Sequence, residues 1–265
     1  TMNINVESVK KLISKKTKAI ICVHYGGLPC DLDELQKLAK KFKIPIIEDA
    51  AHALGAKYRN KPIGSVTDYT TFSFQAIKHF TTGDGGMLTI KNKNLLSKAK
   101  RIRWFGINRE GKQKGTWEND VKEVGYKYQM TDIAATLGYD SLMEFKKIIS
   151  HRRKIFNIYL KELSKNKKIH CVNDDDKRKF HAAWLFTIVL DDKDYLQKKL
   201  RENKIETNQV HFRNDRYEIF KKFVKGKSFP NMDYLENRYL VLPLHHKVST
   251  QQAKYISRLI NKIIY

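Results

Sequence analysis

The chain has 265 residues, of which 41% are hydrophobic and 30% charged, a composition that excludes disordered and collagen-like chains. Lysine and arginine number 52 against 28 acidic residues, and the net charge of +24 suits an anionic partner: nucleic acid, a membrane surface or a phosphorylated small molecule. The basic residues are scattered singly and in pairs, which favours a solvated lysine-rich surface over a dedicated basic arm.

The cysteines, histidines and apolar segments bear on the cellular compartment, on membrane insertion and on metal binding. Cys22, Cys30 and Cys171 have no CxxC spacing and leave one over in any disulfide scheme, which predicts a reducing, cytoplasmic compartment. No apolar run approaches the ~20 residues that a membrane-spanning helix needs, so we expect no membrane insertion. The nine histidines and three cysteines show no metal-ligand spacing, and we expect no metal.

The first part of the chain alternates helix and strand patterns. An amphipathic helix is predicted over residues 6–13, and short apolar runs predict strands over 18–23 and 44–47. Asp31 and Glu34 form a capping-box signature between them, ahead of apolar residues on one helical face: Leu32, Leu35, Leu38, Ala39 and Phe42. The order strand, helix, strand predicts a right-handed parallel crossover and therefore an α/β domain.

Two further predicted strands, over residues 69–74 and 87–90, flank a segment rich in Thr, Gly and Lys. In open α/β sheets, ligands bind at the carboxyl ends of strands, where Asp49 and Ser73 are predicted to lie. A buried carboxylate there needs a cation or a hydrogen-bond donor. Lys78 is placed like a functional amine on the loop, whose small residues would let a planar ligand approach the backbone.

Helices dominate after residue 130. A helix is predicted over residues 131–138 and continues over 141–163, and an exposed loop is predicted over 173–179. The last predicted elements are a strand over 183–190, a helix over 193–202, a strand over 205–210 and a helix over 250–264. This alternation predicts a second, smaller α/β domain. We therefore divide the chain into residues 1–140 and 141–265.

Four sequence blocks occur in a characteristic order: EDAAHALGA (48–56), FSFQAIKHFTTGDGG (72–86), GYKYQMTDIAATLG (125–138) and LPLH (242–245). With them the chain resembles the DegT/DnrJ/StrS group of pyridoxal-phosphate-dependent sugar aminotransferases, over nearly its whole length. The resemblance implies the type I transferase fold of these enzymes: part of the large domain, with a mainly parallel sheet, in residues 1–140, then an interdomain helix and a small C-terminal α/β domain in 141–265.

The resemblance implies a role for each matching residue. Lys78 corresponds to the Schiff-base lysine, which also moves the proton between the substrate carbon and the cofactor. Asp49 would pair with the pyridinium nitrogen, His52 would pack near the ring, and Ser73 would donate to the cofactor phosphate. Lys127 stands where members often carry an asparagine that contacts the phosphate of the neighbouring subunit, and it keeps a donor for that contact.

Residues further along the chain imply a substrate pocket. His181 and Trp184 match a strand that borders this pocket in the family. Arg213 and Arg216 would clamp a diphosphate, because guanidinium groups pair bidentately with phosphate oxygens. His245, in the LPLH motif, would lie at the pocket edge.

Each candidate also has a structural interpretation. Asp49 could cap a strand end, His52 could be a buried structural histidine, and Ser73 could form a turn. Lys78 alone could be one more surface lysine, but its flanking sequence favours the catalytic role. The arginines could form surface ion pairs, and His245 could be structural.

Members of the family carry further residues ahead of the matched region. These include a small-residue helix start that binds the cofactor phosphate and an aromatic residue that stacks on the ring. The resemblance implies that this chain begins after both, so we expect weaker cofactor affinity and exposed apolar surface. The chain would be either the C-terminal part of a complete enzyme or a natural truncation that has lost normal catalysis.

The function implied by the resemblance is transfer of an amino group, with glutamate as the expected donor, to a nucleotide-linked keto sugar for surface-polysaccharide synthesis, by a cytoplasmic homodimer with shared active sites. A sugar dehydratase of the same fold is one alternative, but the dehydratase branch that resembles this family carries histidine in place of the lysine, so Lys78 favours transamination. The other alternative is a truncated, non-catalytic basic binding module. We do not expect nucleic acid as the partner, because no RNP, helix-turn-helix or zinc signature is present.

Overall fold

The computed structural model describes residues 1–115, 121 and 123–265. Its strands are β1 Ile20–Val23, β2 Ile46–Asp49, β3 Lys57–Tyr58, β4 Lys61–Pro62, β5 Tyr69–Ser73, β6 Gly86–Ile90, β7 His170–Cys171, β8 Lys179–Phe180, β9 Phe186–Val189 and β10 Tyr239–Leu242. Its helices are α1 Val6–Leu12, α2 Leu32–Phe42, α3 Leu96–Arg103, α4 Arg109–Gln113, α5 Asp132–Leu163, α6 Lys193–Glu202, α7 Lys221–Val224, α8 Pro230–Leu235 and α9 Thr250–Ile263.

A four-stranded sheet in the order β1-β2-β5-β6 holds the residues predicted to carry chemistry. β1, β2 and β5 are parallel, and β6 is antiparallel to β5. Because α2 connects β1 to the adjacent parallel strand β2, the predicted strand-helix-strand crossover is confirmed. The carboxyl ends of β2 and β5 meet at one edge of this sheet, which brings the segments that follow them together.

The core beneath this sheet is built by α2. Leu32, Leu35 and Ala39 are buried on one helical face and pack with Ile20 and Ile46 of the sheet, as the periodicity predicts. The predicted capping box is wrong, because the Asp31 side chain makes no cap hydrogen bond and its Oδ1 lies 2.6 Å from Nζ of Lys179. A tertiary ion pair has replaced the local cap at this helix start.

The C-terminal part of the chain has its own antiparallel sheet, in the order β10-β9-β7. Every residue of β9 and β10 is buried, because helices α5, α6 and α9 contribute to the core around them. Phe186 is 1% exposed and its ring packs against Phe156 and Tyr159, with centroids 4.9 and 5.1 Å apart. This core is separate from the one beneath α2.

Two predictions for the C-terminal part need correction. The predicted strand over residues 205–210 is wrong, because only Asn208 forms a bridge, to Val241. The segment carries mostly polar residues and lies largely exposed beside β10, which gives it one partner and little apolar burial. The helices predicted over 131–138 and 141–163 are one continuous helix, α5, of 32 residues, and β10 is a strand that the sequence patterns did not predict.

Helix α5 runs from the sheet that carries the candidate site to the C-terminal core. Its N-cap Thr131 accepts a hydrogen bond from the amide of Ala134, which caps the start of the helix. Gly138 allows close contact, since a Cβ there would lie 2.8 Å from the methyl group of Thr82. Further along, Ile155 and Tyr159 are fully buried in the C-terminal core.

Within the described ranges, which leave out 116–120 and 122, every helix is too short or too polar to cross a membrane. The boundary between residues 1–140 and 141–265 stays a prediction.

Candidate active site

Asp49 ends β2 and begins the candidate site. It pairs in register with Val23 on one side and Thr71 on the other, which places it between two parallel strands. The chain turns sharply after it, and Oδ1 of Asp49 accepts a hydrogen bond of 3.0 Å from the amide of Ala51. The carboxylate is therefore held at the strand end by its own turn, half-buried at the edge where ligands bind in such sheets.

Lys78 lies on the turn between β5 and β6. The base of this turn is closed by hydrogen bonds from the amide of Phe74 to Gly85 O (2.8 Å) and from the amide of Thr82 to Phe74 O (2.9 Å). The Lys78 ammonium lies 4.8 Å from the centre of the Trp184 ring. Burial lowers the pKa of Lys78, while the charge of Asp49 acts in the opposite direction. A lowered pKa gives a larger fraction of the nucleophilic free amine at neutral pH.

Aromatic rings form a wall beside this lysine. The His52 ring lies 5.7 Å from Trp184 and stacks on His211 at 5.5 Å, and His79 lies 5.7 Å from Trp184 on another side. Burial, with the charges of Lys78, His211 and His79, lowers the pKa of His52 to about 3. Burial likewise lowers the pKa of His79 to about 4, so both imidazoles are neutral at pH 7.

Three buried nitrogens in this wall have no hydrogen-bond partner within the part of the chain that the structure describes: Nδ1 of His52, Nδ1 of His79 and Nε1 of Trp184. A buried polar group without a partner costs about 1–3 kcal/mol, which a ligand carrying polar atoms would recover. Pyridoxal phosphate is a flat aromatic with polar groups around its ring. The wall, the amine of Lys78 and the carboxylate of Asp49 fit this group.

The predicted residues Asp49, His52 and Lys78 come together in this site, and Ser73 ends the adjacent strand β5. The Ser73 hydroxyl is half-buried and accepts a hydrogen bond of 3.4 Å from the amide of Gln75. Its contact with the cofactor phosphate stays a prediction.

Lys127 lies apart from this group. Its ammonium is 4.5 Å from the centre of the Trp104 ring, and Arg109 approaches the same ring at 5.0 Å. Residue 127 also pairs with Trp104 in an isolated β-bridge. The role that the resemblance implies for Lys127 belongs to the neighbouring subunit's site, and it stays a prediction.

The two predicted diphosphate-binding arginines are bound to carboxylates. Arg213 is 6% exposed and pairs with Asp215 at 2.7 Å and Asp233 at 2.6 Å, and Glu236 lies between Arg213 and Arg216. These contacts agree with the ion-pair interpretation. A phosphate would have to compete with the acidic side chains for both guanidinium groups.

The two predicted pocket histidines have different surroundings. His181 packs into the C-terminal core at 4.4 Å from the Phe156 ring, and its Nδ1 accepts a hydrogen bond of 2.7 Å from the amide of Ala183. Burial, together with the charge of Arg153, lowers the pKa of His181 to about 3. His245 is exposed and lines a cavity of about 600 Å³ between residues 203–210 and α9. The contacts of His181 agree with a structural role, and His245 lies beside a different cavity; the substrate roles of both histidines stay predictions.

Three contributors to the site were not assigned a role from sequence. His79 directly follows Lys78 and lies beside Trp184, and His211 stacks on His52. Arg152 of α5 is 5% exposed and donates to the carbonyl oxygens of Ala183 (3.0 Å) and Trp184 (2.6 Å), which fixes the Trp184 side of the wall. The available signal was its spacing of three residues from both Ile149 and Ile155, on the apolar face of α5.

Comparison with known proteins places this geometry in a family. Residues 1–261 match the DegT/DnrJ/EryC1/StrS aminotransferase family. The chain is 36% identical to the uncharacterised protein MJ1066 of Methanocaldococcus jannaschii, covering 100% of this chain and 71% of the relative. It is 34% identical to UDP-4-amino-4,6-dideoxy-N-acetyl-beta-L-altrosamine transaminase of Campylobacter jejuni (90% and 63%) and 32% identical to GDP-perosamine synthase of Escherichia coli O157:H7 (99% and 70%).

Solved structures agree with the sequence relatives. AtS13 from Actinomadura melliaura superposes with a TM-score of 0.92 at 30% identity, covering 99% of this chain and 71% of AtS13. The PLP form of the putative sugar aminotransferase Spr1654 from Streptococcus pneumoniae gives a TM-score of 0.87 at 26% identity, covering 100% and 72%.

The chain therefore spans 63–71% of the length of the curated relatives named here. The expected type I transferase fold and aminotransferase class are confirmed, as is the expected cofactor, since aminotransferases of this family depend on pyridoxal phosphate. The strand-end aspartate, the half-buried lysine and the aromatic wall are thus the local features of a protein that belongs to the DegT/DnrJ/EryC1/StrS aminotransferase family.

Proposed function

We propose that this protein transfers an amino group from an amino acid, with glutamate as the donor, to a keto sugar linked to a nucleotide diphosphate, as a step toward surface polysaccharide. The observation that carries the proposal is the placement of Lys78, a half-buried amine with a lowered pKa, beside Asp49 and the Trp184 wall. Relatives named for UDP-sugar and GDP-sugar products support a nucleotide sugar as acceptor.

The residues divide the work by chemistry. Pyridoxal phosphate, when bound, withdraws electrons from the amino-bearing carbon of the substrate. Lys78 would bind the cofactor through its amine and then carry a proton to and from that carbon. Asp49 would accept a hydrogen bond from the protonated ring nitrogen and keep it charged. The rings of His52 and Trp184, 5.7 Å apart, would pack against the ligand and exclude water.

The remaining predicted residues would serve the phosphates and the substrate. Ser73 donates to the cofactor phosphate, and Lys127 reaches the phosphate in the partner subunit of a homodimer. His181, Arg213, Arg216 and His245 stay proposed substrate residues, although the first two are engaged by protein groups. The buried, unpaired thiols of Cys22, Cys30 and Cys171 support a reducing compartment such as the cytoplasm.

The test begins with covalent capture of the cofactor. The purified chain is mixed with excess pyridoxal phosphate, reduced with borohydride and mapped by mass spectrometry. We expect modification at Lys78 well above that of exposed lysines. Lys78→Arg keeps the charge and removes this adduct, whereas Lys91→Arg, a matched change on an exposed lysine, leaves it. Labelling of Lys78 no greater than that of exposed lysines would overturn the cofactor site.

The second stage tests the reaction. Glutamate should convert bound pyridoxal phosphate into pyridoxamine phosphate, and a nucleotide-linked keto sugar should then regain an amino group, which mass spectrometry detects as an amino sugar. A deoxy sugar without nitrogen would instead support the dehydratase. Salt-sensitive binding to arbitrary DNA with neither product would support the basic binding module.

A further inference from the structure

A buried polar cluster lies beneath the candidate site and takes no part in the chemistry described above. The side chains of His24 and Glu48 are both fully buried, and the hydroxyl groups of Thr67 and Thr70 join them. Glu48 directly precedes Asp49 in β2, and His24 directly follows β1. The cluster therefore lies where the strands that form the site come to an end.

The hydrogen bonds of His24 fix the position of its ring proton. The amide of Cys30 donates to Nδ1 of His24 at 3.0 Å, so that nitrogen is the acceptor. The proton is then on Nε2, which donates to Oε2 of Glu48 at 2.7 Å. The imidazole is thus held from both sides, by a loop amide and by a carboxylate of the next strand.

Glu48 is satisfied as a carboxylate. Its other oxygen, Oε1, accepts hydrogen bonds from the hydroxyl groups of Thr67 (2.6 Å) and Thr70 (3.0 Å). Burial raises the pKa of Glu48, but the donors, led by His24, more than offset this and lower it. The side chain points into a core of apolar residues where an aliphatic side chain would avoid the desolvation cost of a charge. The carboxylate therefore serves something other than packing.

Its connection to Asp49 runs through the backbone. The amide of His24 donates to the carbonyl oxygen of Asp49 at 3.1 Å, so the residue whose ring Glu48 holds also holds the Asp49 peptide. Glu48 and Asp49 point to opposite faces of the sheet, because side chains alternate along a strand. Holding the Glu48 side chain on one face of the sheet thereby sets the direction in which the Asp49 side chain points on the other face.

We propose that the hydrogen-bonded His24–Glu48 pair is a positioning unit for Asp49, which holds that carboxylate in the orientation needed to meet the ring nitrogen of pyridoxal phosphate. The purpose of this orientation, which is to meet the cofactor ring, rests on the proposed function. The mechanical part, that the pair controls where the Asp49 carboxylate lies, can be measured in the chain without the cofactor.

The first experiment uses the amide of Ala51 as a reporter, because that amide donates to Oδ1 of Asp49. Hydrogen exchange of this amide is compared in the unmodified chain and in Glu48→Gln, which keeps the shape and removes the charge. We expect exchange at Ala51 to accelerate about tenfold, with the amide of Ile188 in β9 unchanged. Ile46→Val, in the same strand and core, is the matched packing control and should leave Ala51 unchanged.

A second variant covers the case in which Glu48→Gln does not fold. Thr67→Val removes one hydroxyl donor at nearly constant volume, and we expect about threefold faster exchange at Ala51. In the folded chain, imidazole nitrogen chemical shifts should place the proton of His24 on Nε2. If Ala51 exchange is unchanged in the folded variants, or matches that in Ile46→Val, the positioning unit is overturned.

Borohydride trapping of pyridoxal phosphate separates this inference from the proposed function. If the unmodified chain traps the cofactor at Lys78, Glu48→Gln should reduce trapping and shift the absorption band of the bound cofactor in the same direction as Asp49→Asn. If the unmodified chain does not trap it, the proposed function fails while the Ala51 result still decides whether the pair positions Asp49. Normal trapping with an unshifted band in Glu48→Gln would overturn the link to the cofactor.

Discussion

Every residue of β9 and β10 is buried, whereas β1 alternates buried and exposed residues and most of β6 is exposed. In the C-terminal sheet, residues of α5, α6 and α9 pack on Phe186 and Ile188, while Met2, Tyr25 and Leu235 pack around Val189 and Tyr239. In the sheet that carries Asp49, one face packs on α2 and the other leaves Ile21 62% and Leu88 50% exposed. Asp49 and Lys78 thus belong to the half-covered sheet, whereas the larger apolar core belongs to the C-terminal region, which supplies Trp184 and His211 to the wall.

The largest effect should come from the C-terminal core. Phe186→Ala removes a ring that is 1% exposed and contacts two other aromatic rings, and we expect a loss of about 3–5 kcal/mol in the free energy of unfolding. Urea denaturation measures this loss. Phe212→Ala, at a 57% exposed position, is the control. Equal effects of the two changes would contradict the comparison.

Two neighbouring positions in β1 separate the covered face from the open one. Ile20 is 4% exposed and Ile21 is 62% exposed, so Ile20→Ala should cost about 2–5 kcal/mol and Ile21→Ala about 0.5 kcal/mol or less. The same denaturation experiment measures both. A similar cost at both positions would mean that the face bearing Ile21 is covered in solution.

Arg152 connects α5 to the aromatic wall, because it donates to the carbonyl oxygens of Ala183 and Trp184. Arg152→Met leaves two buried carbonyl oxygens without donors, and we expect a loss of about 1–3 kcal/mol together with a change in tryptophan fluorescence. Lys154→Met, an exposed change two residues later, should alter neither measurement. A loss of stability without a fluorescence change would mean that Arg152 does not hold Trp184 in place.

The last expected effect appears only on acidification. Burial holds the pKa of His181 at about 3 in the folded chain, against an ordinary value of 6.5, so between these values the unfolded chain binds a proton that the folded chain does not. Acidification from pH 6.5 toward 3 therefore favours unfolding, by up to about 1.4 kcal/mol per pH unit for this group.

The measurement is the melting temperature as a function of pH. His181→Asn keeps an acceptor for the Ala183 amide but does not titrate, so it should flatten the acid limb, whereas His170→Gln at an exposed position should not. An unchanged limb in His181→Asn would show that this imidazole already titrates normally in the folded chain.

The sequence predicted those helices and strands in which buried residues recur at regular spacing. α6 is found at the predicted residues, and β5 and α9 each end one residue earlier than predicted, because regular apolar spacing records which side of an element is covered. The strand expected over 205–210 failed because its polar residues found only one bridge, to Val241. β10 was missed for a different reason: its four residues form a short apolar run without alternation, which periodicity alone does not identify as a strand.

The site was predicted where its residues lie close together in the sequence. Asp49, His52 and Lys78 follow strand ends, and the motif order that identified them also fixes their local geometry. The stacking of His211 on His52 and the three carboxylates around Arg213 depend on how distant segments pack, which local patterns do not record. The lost cap at Asp31 has the same origin, since Lys179 comes from much later in the chain.

The 32 residues of α5 amount to a rod of about 48 Å, at about 1.5 Å per residue. One end touches the turn that carries Lys78, where the hydroxyl oxygen of Ser141 accepts a hydrogen bond of 3.1 Å from the amide of Thr81. The other end is anchored among the residues that give the C-terminal core its cohesion. One unbroken helix therefore connects the turn that carries Lys78 to a core that the lysine does not touch.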